Sequence, residues 1–349
     1  MKKRIAFALA CLCLLVSALE IGARLFGPGL MPANPKVNDN RHMPADSLVG
    51  WRAQPGAQQD FGVPRPTYVN QHGIRGPETP LQKSEDELRI LLLGDSTVYG
   101  VRVSDEETFG GTLEQSLMPH RINARVLNAG CPGYSSWQAL QILQHRLLDL
   151  KPDIVVIATL WSDAQGSESP DSARYGNGET RGWLTHSAFY VWAREQLRKR
   201  RWQSQDSETI GFRFNTPGPS MPGGPPPPPE NTLGPNKLAP THRVPLRQYR
   251  DNLASMARLS EEAGAQPVFL ILPSFRDVLL GRVGDFRDAY RESMKTVAQD
   301  FQAPLINSSE EFFGGDVNAL FFDDVHPTAR GHKIIADALL STLIQLKKP

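Results

Sequence analysis

Residues 89–100 read RILLLGDSTVYG: a short run of apolar side chains, then a Gly-Asp pair, then Ser96. Such a run, bounded by a turn, fits a strand buried on both faces. The same punctuation recurs in RVLNA (125–129), IVVIAT (154–159), PVFLIL (267–272) and a weaker PLINS (304–308). Helix-like segments fill the gaps, at 106–118, 136–148, 246–263, 286–300 and 331–346. Five apolar strands alternating with amphipathic helices predict an α/β domain whose parallel sheet is covered on both faces. In such sheets ligands sit beyond the carboxyl ends of the strands, and Ser96, Gly133 and Asp163 all follow predicted strand ends.

Composition narrows the class. The 349 residues carry 38 Lys plus Arg against 37 Asp plus Glu, so no global field favours nucleic acid. Cys11 and Cys13 lie in the N-terminal apolar segment, which leaves Cys131 alone in the body of the chain. Neither an internal disulfide framework nor a zinc ligand set is spelled out, and no metal or organic cofactor is implied.

The chain opens MKKRIAFALACLCLLVSALEIGARLFGP, with a basic flank ahead of an apolar run from Ile5 to Leu19. That order fits an export signal. Extended through Phe26, the segment reaches the ~20 residues a membrane span needs, at the cost of including Glu20 and Arg24. Those two are four apart and able to pair on a helix. Residues 1–26 are therefore expected to anchor the chain in a membrane as a single pass, with the basic flank on the cytoplasmic side and the rest outside. The small residues of VSA, ending at Ala18, keep cleavage and secretion as the alternative. Residues 27–85, rich in Pro, Gly, Asn and Gln, are expected to form an extended stalk and cover. The domain itself is assigned to 86–349, with an insertion at 183–245. Within it, 183–202 looks helical and ends in the basic run Arg198 to Arg201. That run is either a solvated helix end or a contact for anionic lipid or acidic glycan. The Pro-rich stretch that follows is predicted as a stiff, exposed loop.

Ser96 is either a helix cap, worth about 1 kcal/mol, or a nucleophile, which needs a base, an orienting acid and oxyanion donors. FFDDVHPTARGHK (321–333) offers His326 as base and Asp323, three residues earlier, as its partner; Asp324 competes. The carboxylate would fix the imidazole tautomer and stabilise the imidazolium. His332 is expected to face solvent. NAGCPGYSS (128–136) supplies a Gly-rich turn after a strand, with Gly133 as a candidate oxyanion donor and Gly130 serving the turn. Tyr134, Trp137, Trp161 and Trp183 are candidates either for stacking on sugars or for packing.

Gly94-Asp95-Ser96, Asn128-x-Gly130-x-x-Gly133 and Asp323-x-x-His326-Pro327, in that order, resemble the SGNH subgroup of the GDSL hydrolases. VNQHGIRGPE (69–78) and VLNAGCPGYSS (126–136) further resemble its membrane-anchored bacterial branch. The resemblance implies a flavodoxin-like three-layer sandwich and a serine esterase mechanism. It assigns Ser96 as nucleophile, His326 as base and Asp323 as its partner. The Ser96 and Gly133 amides would line an oxyanion hole, with Asp95, Asn128 and Asp163 in support. One block departs from the family pattern. Gly-x-Asn-Asp is usual after the third strand, whereas this chain reads ATLWSDAQG (158–166), placing Ser162 where the Asn side chain would donate and retaining Asp163. Either Ser162 supplies a shorter-reaching donor, directly or through water, or Gln165 substitutes, or the enzyme is slow. The function expected is hydrolysis of an acyl ester, acetyl foremost, on an envelope or secreted glycan through an acyl-Ser96 intermediate. Activity should rise with pH as His326 loses its proton. A glycan O-acyltransferase and a catalytically weak glycan-binding or assembly factor in polysaccharide export are the alternatives.

Overall fold

The computed structural model describes residues 15, 17, 18, 20 and 21 and the segments 43–56, 58–59, 67–167, 170–175, 241–281 and 287–346. The five apolar runs form one parallel sheet: β1 (Leu88–Gly94), β2 (Ala124–Asn128), β3 (Ile154–Ala158), β4 (Gln266–Ile271) and β5 (Leu305–Asn307). Their order is β2-β1-β3-β4-β5, the flavodoxin-like arrangement. β1 lies between β2 and β3, with Leu92 opposite Asn128 on one side and Val156 on the other. The winding reverses between β1 and β3, and the crevice beyond their carboxyl ends is where such folds bind ligands. Every residue of β3 is buried, as a strand covered on both faces requires.

Among the described residues, helices frame the sheet on both faces. Ser96–Tyr99 (α1) leaves the end of β1, and α2 (Phe109–Leu117) packs on the terminal helix α7 (Ala329–Leu346). On the other face α4 (Leu246–Glu262) packs against α3 (Ser136–Ile142) and α6 (Asp288–Asp300). A short helix, α5 (Phe275–Leu280), follows β4. Two predicted boundaries shift for local reasons. The helix expected from residue 106 starts at Phe109, because Thr108 is its cap and accepts the Gly111 N–H at 3.0 Å. The helix expected over 136–148 runs to Ile142 and then widens into a π turn, Leu143–Leu147.

The described parts of 43–87 lie over the domain, burying Val49, Trp51, Ala53, Val69 and Ile74. Two buried guanidiniums hold this cover, each spreading its donors over several carbonyls. Arg89 donates to the carbonyls of Leu150, Pro80 and Gln82 and pairs with Glu87. Arg75 donates to those of Tyr99, Gly100 and Val103, at the C-terminus of α1, and pairs with Asp105.

His332 does not face solvent. It is 1% exposed, its ring stacks on Phe109 at 5.8 Å, and its Nδ1 accepts the Phe109 N–H at 3.2 Å. That amide is the first of α2 and has no partner inside its own helix, so α7 caps α2. Tyr134, Trp137 and Trp161 are also buried, as packing and not as a sugar platform. Trp183, the basic run at 198–201 and the Pro-rich stretch to 240 lie outside the described residues, as does most of 1–26. Among the described residues, no helix is long and apolar enough to cross a membrane.

Candidate active site

β1 ends at Gly94, where a Cβ would sit 2.2 Å from Val98 Cγ2 and 2.8 Å from the Ala158 carbonyl oxygen. Glycine is what lets the chain turn there. Asp95 takes the N-cap position, its Oδ1 accepting the Thr97 N–H at 2.9 Å. Ser96 is thus not the cap but the first residue of α1, and its hydroxyl is left for another partner. That partner is His326, whose Nε2 lies 2.8 Å from Ser96 Oγ.

The other side of the imidazole is held as tightly. His326 Nδ1 lies 2.8 Å from each Asp323 oxygen, and Asp323 Oδ1 also accepts the Val325 and His326 amides at 3.1 and 3.0 Å. Burial pushes the Asp323 carboxyl up, but these bonds outweigh it and hold its pKa below the ordinary value. The chosen carboxylate is therefore Asp323. Asp324 is exposed and contributes its backbone carbonyl to the Phe275 N–H. Thr97 Oγ1 donates to the Val325 carbonyl at 3.2 Å, tying α1 directly to the histidine loop. A carboxylate on Nδ1–H leaves Nε2 as an acceptor, so the arrangement can take a proton from Ser96.

Two loops close around the serine. After β2, the Cys131 N–H donates to the Gly94 carbonyl at 3.1 Å, and a Cβ on Gly130 would lie 2.4 Å from the Tyr99 nitrogen. Asn128 Nδ2 donates to the Val98 carbonyl at 2.9 Å while its Oδ1 accepts the Gly130 N–H. Gly133 has φ +79°, a left-handed conformation that favours glycine. Among the described residues, neither the Ser96 nor the Gly133 N–H has an acceptor. After β3, Ser162 is buried. Burial raises the pKa of Asp95, against the pull of the Thr97 and Ser162 amides and His326. Asp163 Oδ1 accepts the Ser136 N–H at 2.8 Å, joining the two loops. Gln165 donates its N–H to the Ser162 carbonyl at 3.4 Å. Among the described residues, no three His, Cys, Asp or Glu side chains group to hold a metal ion.

Asp163 and His332 tilt stability in opposite directions with pH. Burial pushes Asp163 up to about 7 and His332 down to about 3. Folded Asp163 keeps its proton between its ordinary 3.8 and about 7, where the unfolded chain has lost it, so its contribution falls as pH rises through that window. Folded His332 refuses a proton that the unfolded chain takes up below 6.5, so its contribution falls as pH drops from 6.5 toward 3. Each slope is at most about 1.4 kcal/mol per pH unit. Relative to the unmodified protein, Asp163→Asn should gain stability from pH 4 to 7 and plateau above. His332→Gln should gain as pH falls from 6.5 to 3. Thermal unfolding from pH 3 to 8 reads both, and parallel profiles would overturn the assignment.

The model of the GDSL-like Lipase/Acylhydrolase family matches residues 92–334. No curated protein matches the chain. Among solved structures, LAE5, an alpha/beta hydrolase enzyme from the metagenome of Lake Arreo, Spain, is 16% identical with a TM-score of 0.46, over 77% of this chain and 99% of that one. The acetyl xylan esterase AlAXEase is 12% identical with a TM-score of 0.45, over 73% and 100%. Axe2, an acetylxylan esterase from Geobacillus stearothermophilus, is 15% identical with a TM-score of 0.43, over 73% and 93%. The family match takes in the end of β1, Ser96, the Gly133 and Ser162 loops and the Asp323–His326 loop, and by it the chain belongs to the GDSL-like lipase/acylhydrolase family and is a carboxylic ester hydrolase.

Proposed function

We propose that the protein removes short acyl groups, acetyl foremost, from an envelope or secreted glycan, with Ser96 as nucleophile. The observation that carries this is the unbroken chain of 2.8 Å contacts from Ser96 Oγ through His326 to Asp323. Ser96 Oγ attacks the ester carbonyl carbon as His326 Nε2 takes its proton. The oxyanion is held by the Ser96 and Gly133 amides, with the Ser162 hydroxyl as a third donor. Collapse breaks the acyl–oxygen bond, and the departing sugar oxygen takes the proton from the imidazolium. Water, deprotonated by the same imidazole, then attacks the acyl-Ser96 carbonyl; collapse breaks the acyl–Oγ bond, and Ser96 Oγ takes the proton back from the imidazolium as the acid leaves.

Ser96 is 7% exposed and His326 4%, which favours a short acyl chain over a long one. The basic flank and apolar run of residues 1–26 support an inner-membrane anchor with the domain in the periplasm. The test is a chain-length series of p-nitrophenyl esters, followed by acetate release from acetylated glycans. The ratio kcat/KM is expected to be highest for acetyl and at least roughly tenfold lower for octanoyl, given how little of Ser96 and His326 is exposed. A preference for octanoyl overturns the acyl assignment, and acetyl delivered to a sugar hydroxyl in place of water points to the acyltransferase. Ser162→Ala should lower kcat by about 100-fold with little change in KM. An unchanged kcat would reduce the oxyanion hole to its two amides.

A further inference from the structure

Trp51 belongs to a small antiparallel hairpin in which Ala45–Asp46 pairs with Gly50–Trp51, outside the residues that the family model matches. The hairpin is pinned to the domain: Asp46 accepts the Leu48 and Val49 amides and pairs with Arg146 in the π turn at 2.8 Å. Trp51 is buried edge-on to Tyr134 and Tyr175, and its carbonyl accepts the Tyr134 hydroxyl at 2.8 Å. Its indole N–H donates to the Pro132 carbonyl at 3.1 Å.

The Pro132 carbonyl and the Gly133 N–H are two ends of one peptide plane. That plane is trans, so the two groups point in opposite directions and move together. Holding the carbonyl fixes where the N–H aims. Accepting a hydrogen bond also polarises the amide and makes its N–H a stronger donor. The indole sets the space as well, since a Cβ on Gly133 would lie 3.3 Å from Trp51 Cζ2.

We propose that Trp51 is a positioning residue for catalysis, aiming the Gly133 N–H at the oxyanion by clamping the Pro132–Gly133 peptide from behind. The N-terminal hairpin would then complete a site whose other parts come from the hydrolase domain. This rests on the esterase reading, with Gly133 as an oxyanion donor.

The test compares the full chain with Trp51→Phe and with Trp51→benzothienylalanine, which keeps the indole shape and lacks the N–H. Each variant is expected to lose about tenfold in kcat on p-nitrophenyl acetate, with KM within twofold and the midpoint of the pH–rate profile unmoved. Phosphonylation by a fluorophosphonate should slow by a similar factor, because the phosphoryl oxygen occupies the same hole. Wild-type kcat and labelling rate in both variants would overturn the proposal, as would a rise in KM that accounts for the whole loss in kcat/KM. If Trp51→Phe does not fold, the benzothienylalanine variant decides. An unmodified protein labelled at Ser96 beside equally reactive variants sinks the role of Trp51 alone. Absence of labelling in the unmodified protein sinks the esterase reading and this proposal with it.

Discussion

Ser96→Ala is expected to lower kcat by about 10⁶-fold, the loss found when a serine hydrolase of this design is stripped of its nucleophile. The substitution removes one oxygen. The cap belongs to Asp95 and the tie to the histidine loop belongs to Thr97, so α1 keeps its structure and the unfolding temperature should stay close to that of the unmodified protein. What is lost is the atom that forms the acyl-enzyme. Intact-mass measurement after fluorophosphonate treatment should show one adduct on the unmodified protein and none on the variant. Turnover within tenfold of the unmodified rate would mean that Ser96 is not the nucleophile.

Asp323→Asn should follow at about 10⁴-fold, the cost seen in serine proteases when the triad carboxylate becomes an amide. The Asn carbonyl can still accept the Val325 and His326 amides that Asp323 Oδ1 accepts now. Its NH₂ group, however, would face His326 Nδ1 and favour the tautomer with the proton on Nε2, which cannot accept from Ser96. The imidazolium would also lose its counter-charge. Nitrogen-15 NMR of His326 reads the tautomer directly. Asp324→Asn is the control and should leave kcat within about twofold, because that side chain is exposed and the triad does not use it. A loss below tenfold in Asp323→Asn, or an equal loss in Asp324→Asn, would break the assignment.

The sheet was legible because each strand is a short apolar run with a turn at each end, a local pattern. The juxtaposition of Ser96, His326 and Asp323 was legible because Gly-Asp-Ser and Asp-x-x-His are short and sit at strand or chain ends; Ser96 Oγ lies 2.8 Å from His326 Nε2, and His326 Nδ1 2.8 Å from Asp323. His332 was misread although its periodicity carried the answer: it shares a buried face with Ile335, Ala336, Leu339 and Leu343, at helical spacing. Arg75 and Trp51 had no local signal. Arg75 lies in the quoted GIRG block, but its acceptors are 24 or more residues away, and the carbonyl that Trp51 holds is 81 residues away. Contacts of that reach follow from topology, which a linear pattern does not display.

The hydrogen bond between Ser96 and His326 spans 230 positions of sequence. In folding terms it is a contact of very high order, whose formation has to close a large loop. Reactivity toward a fluorophosphonate is therefore expected to report the closing of that loop. Local helices and the β1–β2 pairing can form early and leave Ser96 an ordinary alcohol. In a refolding experiment, labelling should lag behind the recovery of helical signal, and the length of that lag times the arrival of the C-terminal end of the chain.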